Sequence, residues 1–123
     1  MKNIIIVFFG GGTGSVARYL VGKAYLQWKP VFPLATLTSN FLSCFVFGIV
    51  VCLSAQKLAM SDSAKLLLLT GFCGGFSTYS AFTYETVGLF SSGKTGMALA
   101  NIVLNFVLSV AAFYLGMLVA KLF

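Results

Sequence analysis

The stretch LLLLTGFCGGFSTYSAFTY, residues 66–84, decides how this chain is read. It holds no charge, so it suits hydrocarbon. In its middle, however, Gly74-Gly-Phe-Ser-Thr-Tyr-Ser80 sets glycines, hydroxyls and rings side by side. Three more uncharged runs fill the chain: Asn3–Ala17, Pro30–Gln56 and Thr95–Ala120. A bilayer core of about 30 Å needs roughly 20 apolar residues per helix. The second and fourth runs meet that outright; the first and third meet it once extended past Arg18 and Glu85. Of the 123 residues 59% are hydrophobic and 8% charged, with mean hydropathy +1.01. A soluble domain carries about 25% charged residues, and this chain has almost nothing to cover its surface. The reading is an all-α membrane protein, one four-helix transmembrane domain over residues 1–123. Its spans fall near 3–26, 32–55, 64–90 and 95–122, with the third helix broken. Lys2 before Ile4–Phe9 imitates a signal peptide, but six apolar residues fall short of the about 7–15 of an h-region.

The net charge of +6 does not point to nucleic acid. Lys2, Lys23, Lys29, Lys57, Lys65, Lys94 and Lys121 stand singly at span ends, as membrane-edge anchors do. With four spans, Lys2, Lys57, Lys65 and Lys121 share one side. Lys23, Lys29 and Lys94 lie on the other, with Arg18 just inside the first span. The positive-inside rule therefore gives no preferred orientation. A chain of that kind either inserts both ways and pairs antiparallel with itself, or has a bias too weak to count. Cys44, Cys52 and Cys73 lie inside spans without metal spacing and read as packing residues.

Two soluble motifs are imitated and rejected. Gly12-Thr-Gly-Ser-Val-Ala17 fits a dinucleotide fingerprint, but only Asp62 and Glu85 are acidic, and no parallel sheet has sequence to form it. Gly88-Leu-Phe-Ser-Ser-Gly-Lys-Thr95 fits a phosphate-binding loop, yet no acid follows to help hold magnesium. Without histidine, and with two acids, neither a carboxylate dyad nor a Ser-His-Asp arrangement can form. The chain does not read as an enzyme.

Polar side chains at membrane depth must face protein or water. Thr36, Asn40 and Ser43 recur at helical spacing in the second span; Asn101, Asn105 and Ser109 follow at i, i+4, i+8 in the fourth. Ser77, Thr78, Ser80 and Thr83 add hydroxyls to the third. One such stripe reads as interhelical glue. Two stripes plus a polar break read as a lined pathway. Gly71, Gly74 and Gly75 weaken the helix by about 1 kcal/mol each, and freed carbonyls or amides at a break can meet ions. The competing reading is a Gly71-x-x-x-Gly75 packing face that needs no break. Phe76, Tyr79 and Phe82 repeat every three residues, and a ring edge favours an anion. Arg18 either draws anions into a vestibule or snorkels to the interface. Glu85 stands where it can line an aqueous mouth.

Three blocks together resemble the Fluc (CrcB) fluoride channels: Gly10-Gly-Gly-Thr-Gly-Ser-Val-Ala-Arg-Tyr19, Thr36-Leu-Thr-Ser-Asn40, and Gly71 through Glu85. The resemblance covers all four spans in order. It implies an antiparallel, dual-topology homodimer in the bacterial cytoplasmic (inner) membrane, passing fluoride down its gradient to relieve toxicity. It implies a fluoride pathway at Asn40, Tyr79, Ser80 and Phe82, to which the third-span hydroxyl of Thr83 is added, and a vestibule with Arg18 and Glu85; the fourth-span stripe of Asn101, Asn105 and Ser109 joins these as candidate vestibule or pore lining. It also implies a structural sodium ion at the dimer centre, held by the backbone carbonyls of Gly74 and Ser77. The chain departs from the family pattern at Ala35, Ser43-Cys44, Tyr79, Ala81, Asn101 and Asn105. Tyr79 adds a hydroxyl where a phenylalanine is usual. The alternatives are a small multidrug-type exporter, which needs a first-span carboxylate where this chain has Arg18, and a non-transporting membrane subunit.

Overall fold

The computed structural model describes residues 1–55 and 60–122. Gln56, the end of the second uncharged run, and Lys57, the middle-loop anchor, lie outside the described residues. All regular structure among the described residues is helical: α1 (Lys2–Tyr25), α2 (Leu34–Ala55), α3 (62–76), α4 (Tyr79–Ser91) and α5 (Thr95–Ala120). Among the described residues four helical stretches are long and apolar enough to cross a membrane: Lys2–Tyr25, Leu34–Ala55, Asp62–Ser91 and Thr95–Ala120. The third comprises α3 and α4.

Hydrocarbon gives helices no hydrophobic reason to associate, so close packing must hold them, and small residues permit it. Helix α1 lies on α3, and α2 lies on α5. In the first seam Gly10 faces Gly71 and Phe72, Gly14 faces Phe72 and Phe76, and Gly75 faces Gly11. A Cβ built on Gly10 comes within 2.9 Å of the Gly71 Cα, and one on Gly14 within 2.9 Å of the Phe76 amide. In the second seam a Cβ on Gly48 reaches 3.2 Å from the Met117 amide, and one on Gly116 reaches 3.0 Å from the Ile49 amide. Both seams are backbone against backbone. The Tyr25 hydroxyl shares a 3.0 Å hydrogen bond with Thr38, tying α1 to α2.

Gly71 and Gly75 of the third span are packing surface against α1. Gly74 itself is helical, at φ −62°, ψ −36°. The backbone leaves the helical region two residues after Gly75, at Ser77 (ψ 158°) and Thr78 (φ −152°, ψ 119°). Thr78 then caps α4, its hydroxyl accepting from the Ala81 amide at 3.2 Å. Before that point, Leu66–Cys73 runs in wide i→i+5 turns.

The stretch resembling a phosphate-binding loop is a helix end. Gly93 at φ 72° closes α4, with the Lys94 amide bonding the Leu89 carbonyl at 2.9 Å and the Gly93 amide bonding Phe90 at 3.0 Å. That is a Schellman stop, in which orphan carbonyls are satisfied by the turn itself.

Candidate functional site: an amide-lined cavity beside an extended segment

Ser77 and Thr78 are held extended by α2. The Thr78 amide donates to Asn40 Oδ1 at 2.8 Å instead of to the Gly74 carbonyl four residues back. Cys73 O takes three donors: the Ser77 amide at 3.0 Å, the Ser77 hydroxyl at 2.9 Å and the Ser43 hydroxyl at 2.9 Å. The Ala81 amide is taken by the Thr78 cap. The carbonyls of Gly74 and Ser77 therefore lack the amides that a continuous helix would supply. Helix α4 begins here, with its positive end toward the same place.

From Asn40 a chain of hydrogen bonds crosses the bundle. Asn40 Nδ2 donates to Asn105 Oδ1 at 3.0 Å, and more distantly to the Thr78 carbonyl at 3.4 Å. Asn105 Nδ2 donates to Asn101 Oδ1 at 2.8 Å and to the Asn101 carbonyl at 3.1 Å. Asn101 Nδ2 donates to Thr86 Oγ1 at 2.9 Å, and Thr86 donates to the Phe82 carbonyl at 2.7 Å. This one chain links α2, α5 and α4. Each link satisfies a polar group at a depth where hydrocarbon offers no partner, the condition under which such bonds matter most.

A cavity of about 410 Å³ borders the chain, lined by Asn40, Tyr79, Phe82, Asn105 and Ser109 with Ile102, Phe106 and Val110. The Tyr79 and Phe82 ring centroids are 5.6 Å apart. Tyr79 is 80% exposed and Phe106 71%, so within one chain the cavity opens sideways. Of the residues singled out from sequence, five meet here. Others do not. Asn101 is fully buried and spent on the hydrogen-bond chain. Ser80 and Thr83 lie exposed on α4, Ser80 within 3.2 Å of the Thr78 hydroxyl and Thr83 donating to the Tyr79 carbonyl at 2.9 Å. Phe76 is buried against Phe72, with centroids 5.4 Å apart, and leaves the Tyr79–Phe82 pair on its own.

Arg18 and Glu85 share a separate cavity of about 180 Å³ with Thr36, Ser39 and Thr78. The Thr36 hydroxyl donates to Glu85 Oε1 at 2.6 Å. Arg18 Nε, Ser39 Oγ and Glu85 Oε2 are buried without a protein partner, and all three belong to residues lining this one cavity. Glu85 also borders a mouth of about 470 Å³ lined by Pro30, Ser92 and Lys94. Glu85 thus lines both the mouth and the smaller cavity that Thr78 borders. Ser39 and Thr86 were not picked out from sequence. Thr86 lies one turn beyond Phe82, and only its helical register with that residue hinted at a role.

Residues 5–117 match the family described as "CrcB-like protein, Camphor Resistance (CrcB)". The chain belongs to that family. It is 42% identical over 122 residues to a Chlorobaculum tepidum protein named "Fluoride-specific ion channel FluC", covering 99% of this chain and 97% of the other. It is 36% identical over 124 residues to a protein of that name from Azobacteroides pseudotrichonymphae, covering 100% and 99%. With the protein of that name from Escherichia coli K12 it shares 39% over 119 residues, 94% of each chain. CrcB-like membership and four apolar helices make this a multi-pass membrane protein.

Proposed function

We propose that this chain is a fluoride-selective channel that lets fluoride leave the cytoplasm passively, working as an antiparallel, dual-topology homodimer in the bacterial inner membrane. One observation carries the reading: Asn40, Asn105, Ser109 and the Tyr79–Phe82 ring pair line one cavity beside an extended backbone segment. Fluoride is small and strongly hydrated, so its shell must be replaced by donors as it moves. Amide and hydroxyl groups donate, and ring edges are electropositive. Ser80, on the first turn of α4 beside Tyr79, extends the donors along the helix, and Thr83 joins them when its hydroxyl turns from the Tyr79 carbonyl. Arg18 and Glu85 form the vestibule that leads to Thr78, with Arg18 raising the local anion concentration. The names of the relatives agree with this reading.

Homodimer assembly is supported by the sideways opening at Tyr79 and Phe106, which needs a second wall, and by the balanced lysines. A structural sodium ion at the break in the third helix fits the two carbonyls left without helical amides, those of Gly74 and Ser77. Those two carbonyls would hold the cation, which would supply positive charge at the break. No observation favours a small multidrug-type exporter: α1 bears Arg18 where a carboxylate is required, and the relatives are named as fluoride channels.

Fluoride efflux from liposomes, read with an ion-selective electrode, tests the reading. Efflux is expected to persist with excess chloride present and to collapse in Asn40→Asp, which sets a negative charge at the cavity. Absence of fluoride efflux from the unsubstituted protein, or equal passage of chloride, refutes it. Labelling of single cysteines from each side of the membrane is expected to find both orientations; one orientation alone refutes the inverted pair.

A further inference from the structure

The hydrogen-bond chain across the bundle has backbone atoms at both ends. The Thr78 amide can only donate, and the Phe82 carbonyl can only accept. Between them stand three primary amides and one hydroxyl, and the fixed ends leave these a single arrangement. Thr78 N–H requires an oxygen from Asn40, which turns Asn40 Nδ2 toward Asn105. Asn105 must then present Oδ1 and turn its own Nδ2 toward Asn101. Asn101 must present Oδ1 and send Nδ2 to Thr86, whose proton goes to Phe82. Reversing Asn40 or Asn105 sets oxygen against oxygen on one side and N–H against N–H on the other; reversing Asn101 sets N–H against N–H at Asn105 and draws the Thr86 proton away from the Phe82 carbonyl. The second N–H of Asn40, held only at 3.4 Å by the Thr78 carbonyl, is the loosest donor in the chain.

We propose that Asn101 and Thr86 are positioning residues that lock the polarity of Asn40, keeping its oxygen on the Thr78 amide and its N–H group available to an anion in the cavity. Neither residue lines that cavity, and Asn101 has no exposed surface. A reversed Asn40 amide offers lone pairs and repels an anion; a locked one cannot reverse. The lock also runs into α4 at Phe82, so the donor at Asn40 and the ring opposite it are held in one register. This deepens the fluoride-channel reading and rests on it for the flux measurement alone.

Two measurements test the lock. The chain has four asparagines, at positions 3, 40, 101 and 105. In protein labelled with ¹⁵N-asparagine, the side-chain amide signals of Asn40, Asn101 and Asn105 are expected to exchange with solvent far more slowly than that of Asn3. Thr86→Val is expected to shift all three, and Thr86→Ser to restore them. Exchange at Asn40 and Asn105 as fast as at Asn3, or a shift confined to Asn101, overturns the proposal. In liposomes Thr86→Val is expected to lower fluoride efflux about fivefold, the factor that one lost buried hydrogen bond represents. Thr86→Ser is expected to stay within about twofold of the parent. A valine variant that conducts like the parent, or a serine variant as poor as valine, overturns the lock. Should the valine variant fail to assemble, the exchange pattern of the unsubstituted protein decides. A parent that passes no fluoride refutes the channel reading instead, and the amide signals still judge the lock.

Discussion

Gly48 sits in the α2–α5 seam, where a Cβ would press on the Phe113 carbonyl and reach 3.0 Å from its carbon and 3.2 Å from the Met117 amide. Every one of those neighbours is backbone, so no side chain can swing aside. Gly48→Ala must therefore push the two helices apart by about 1 Å, an overpacking that costs roughly 1–3 kcal/mol. The consequence reaches the site. Asn40 lies about two turns, or ~12 Å, from Gly48 along the same helix, and its 3.0 Å bond to Asn105 spans the same seam. An added separation of about 1 Å carries that bond beyond hydrogen-bonding range. The assay is thermal unfolding of the purified protein in detergent, followed by loss of the assembled peak on size-exclusion chromatography, with fluoride efflux measured beside it. Gly48→Ala is expected to melt several degrees lower and to conduct poorly. The control is Gly96→Ala, where nothing lies within 4 Å and the helix gains up to about 1 kcal/mol of propensity. If Gly48→Ala melts and conducts like the parent, the seam is not in backbone contact and the coupling to Asn40 is wrong.

Gly93→Ala places a side chain at φ 72° in the Schellman stop and is expected to cost about 1 kcal/mol, read as a lower melting temperature with fluoride efflux retained. Ser43→Ala removes one of three donors to the Cys73 carbonyl and is expected to cost about 0.6–2 kcal/mol; the melting temperature again reports it. Tyr79→Phe removes a hydroxyl but keeps the ring beside Phe82, so efflux is expected to stay within a few fold of the parent. A loss as deep as that of Asn40→Asp would mean that the hydroxyl itself handles the ion.

The spans were legible because two uncharged runs are long enough for one crossing, the other two become so past Arg18 and Glu85, and lysines stand at the span ends. The stripes at Thr36, Asn40, Ser43 and at Asn101, Asn105, Ser109 were legible too, since helical spacing puts such residues on one face. Periodicity tells which residues share a face but not what that face meets. Asn105 and Ser109 reach the cavity, whereas Asn101 on the same stripe meets Thr86 of another helix and is sealed. Glycine propensity drew attention to residues 71–75 as the weak point, yet Gly71 and Gly75 pack against Gly10 and Gly11, and Gly74 is an ordinary helical residue. The change to extended backbone comes later, at Ser77 and Thr78, where Asn40 supplies the competing acceptor. That acceptor is 38 residues away in sequence, so no local signal could announce it. Gly10 and Gly14 repeat the i, i+4 spacing of Gly71 and Gly75, and matching the two pairs would have identified the α1–α3 seam.

Fluoride efflux from liposomes, compared between Phe82→Ile and Phe8→Ile, tests the proposed path most directly. Phe82 lines the cavity beside Asn40, while Phe8 is 74% exposed on α1, away from it. The expected result is that Phe82→Ile nearly abolishes efflux and Phe8→Ile leaves it intact. Equal efflux from the two variants would contradict a fluoride path through that cavity.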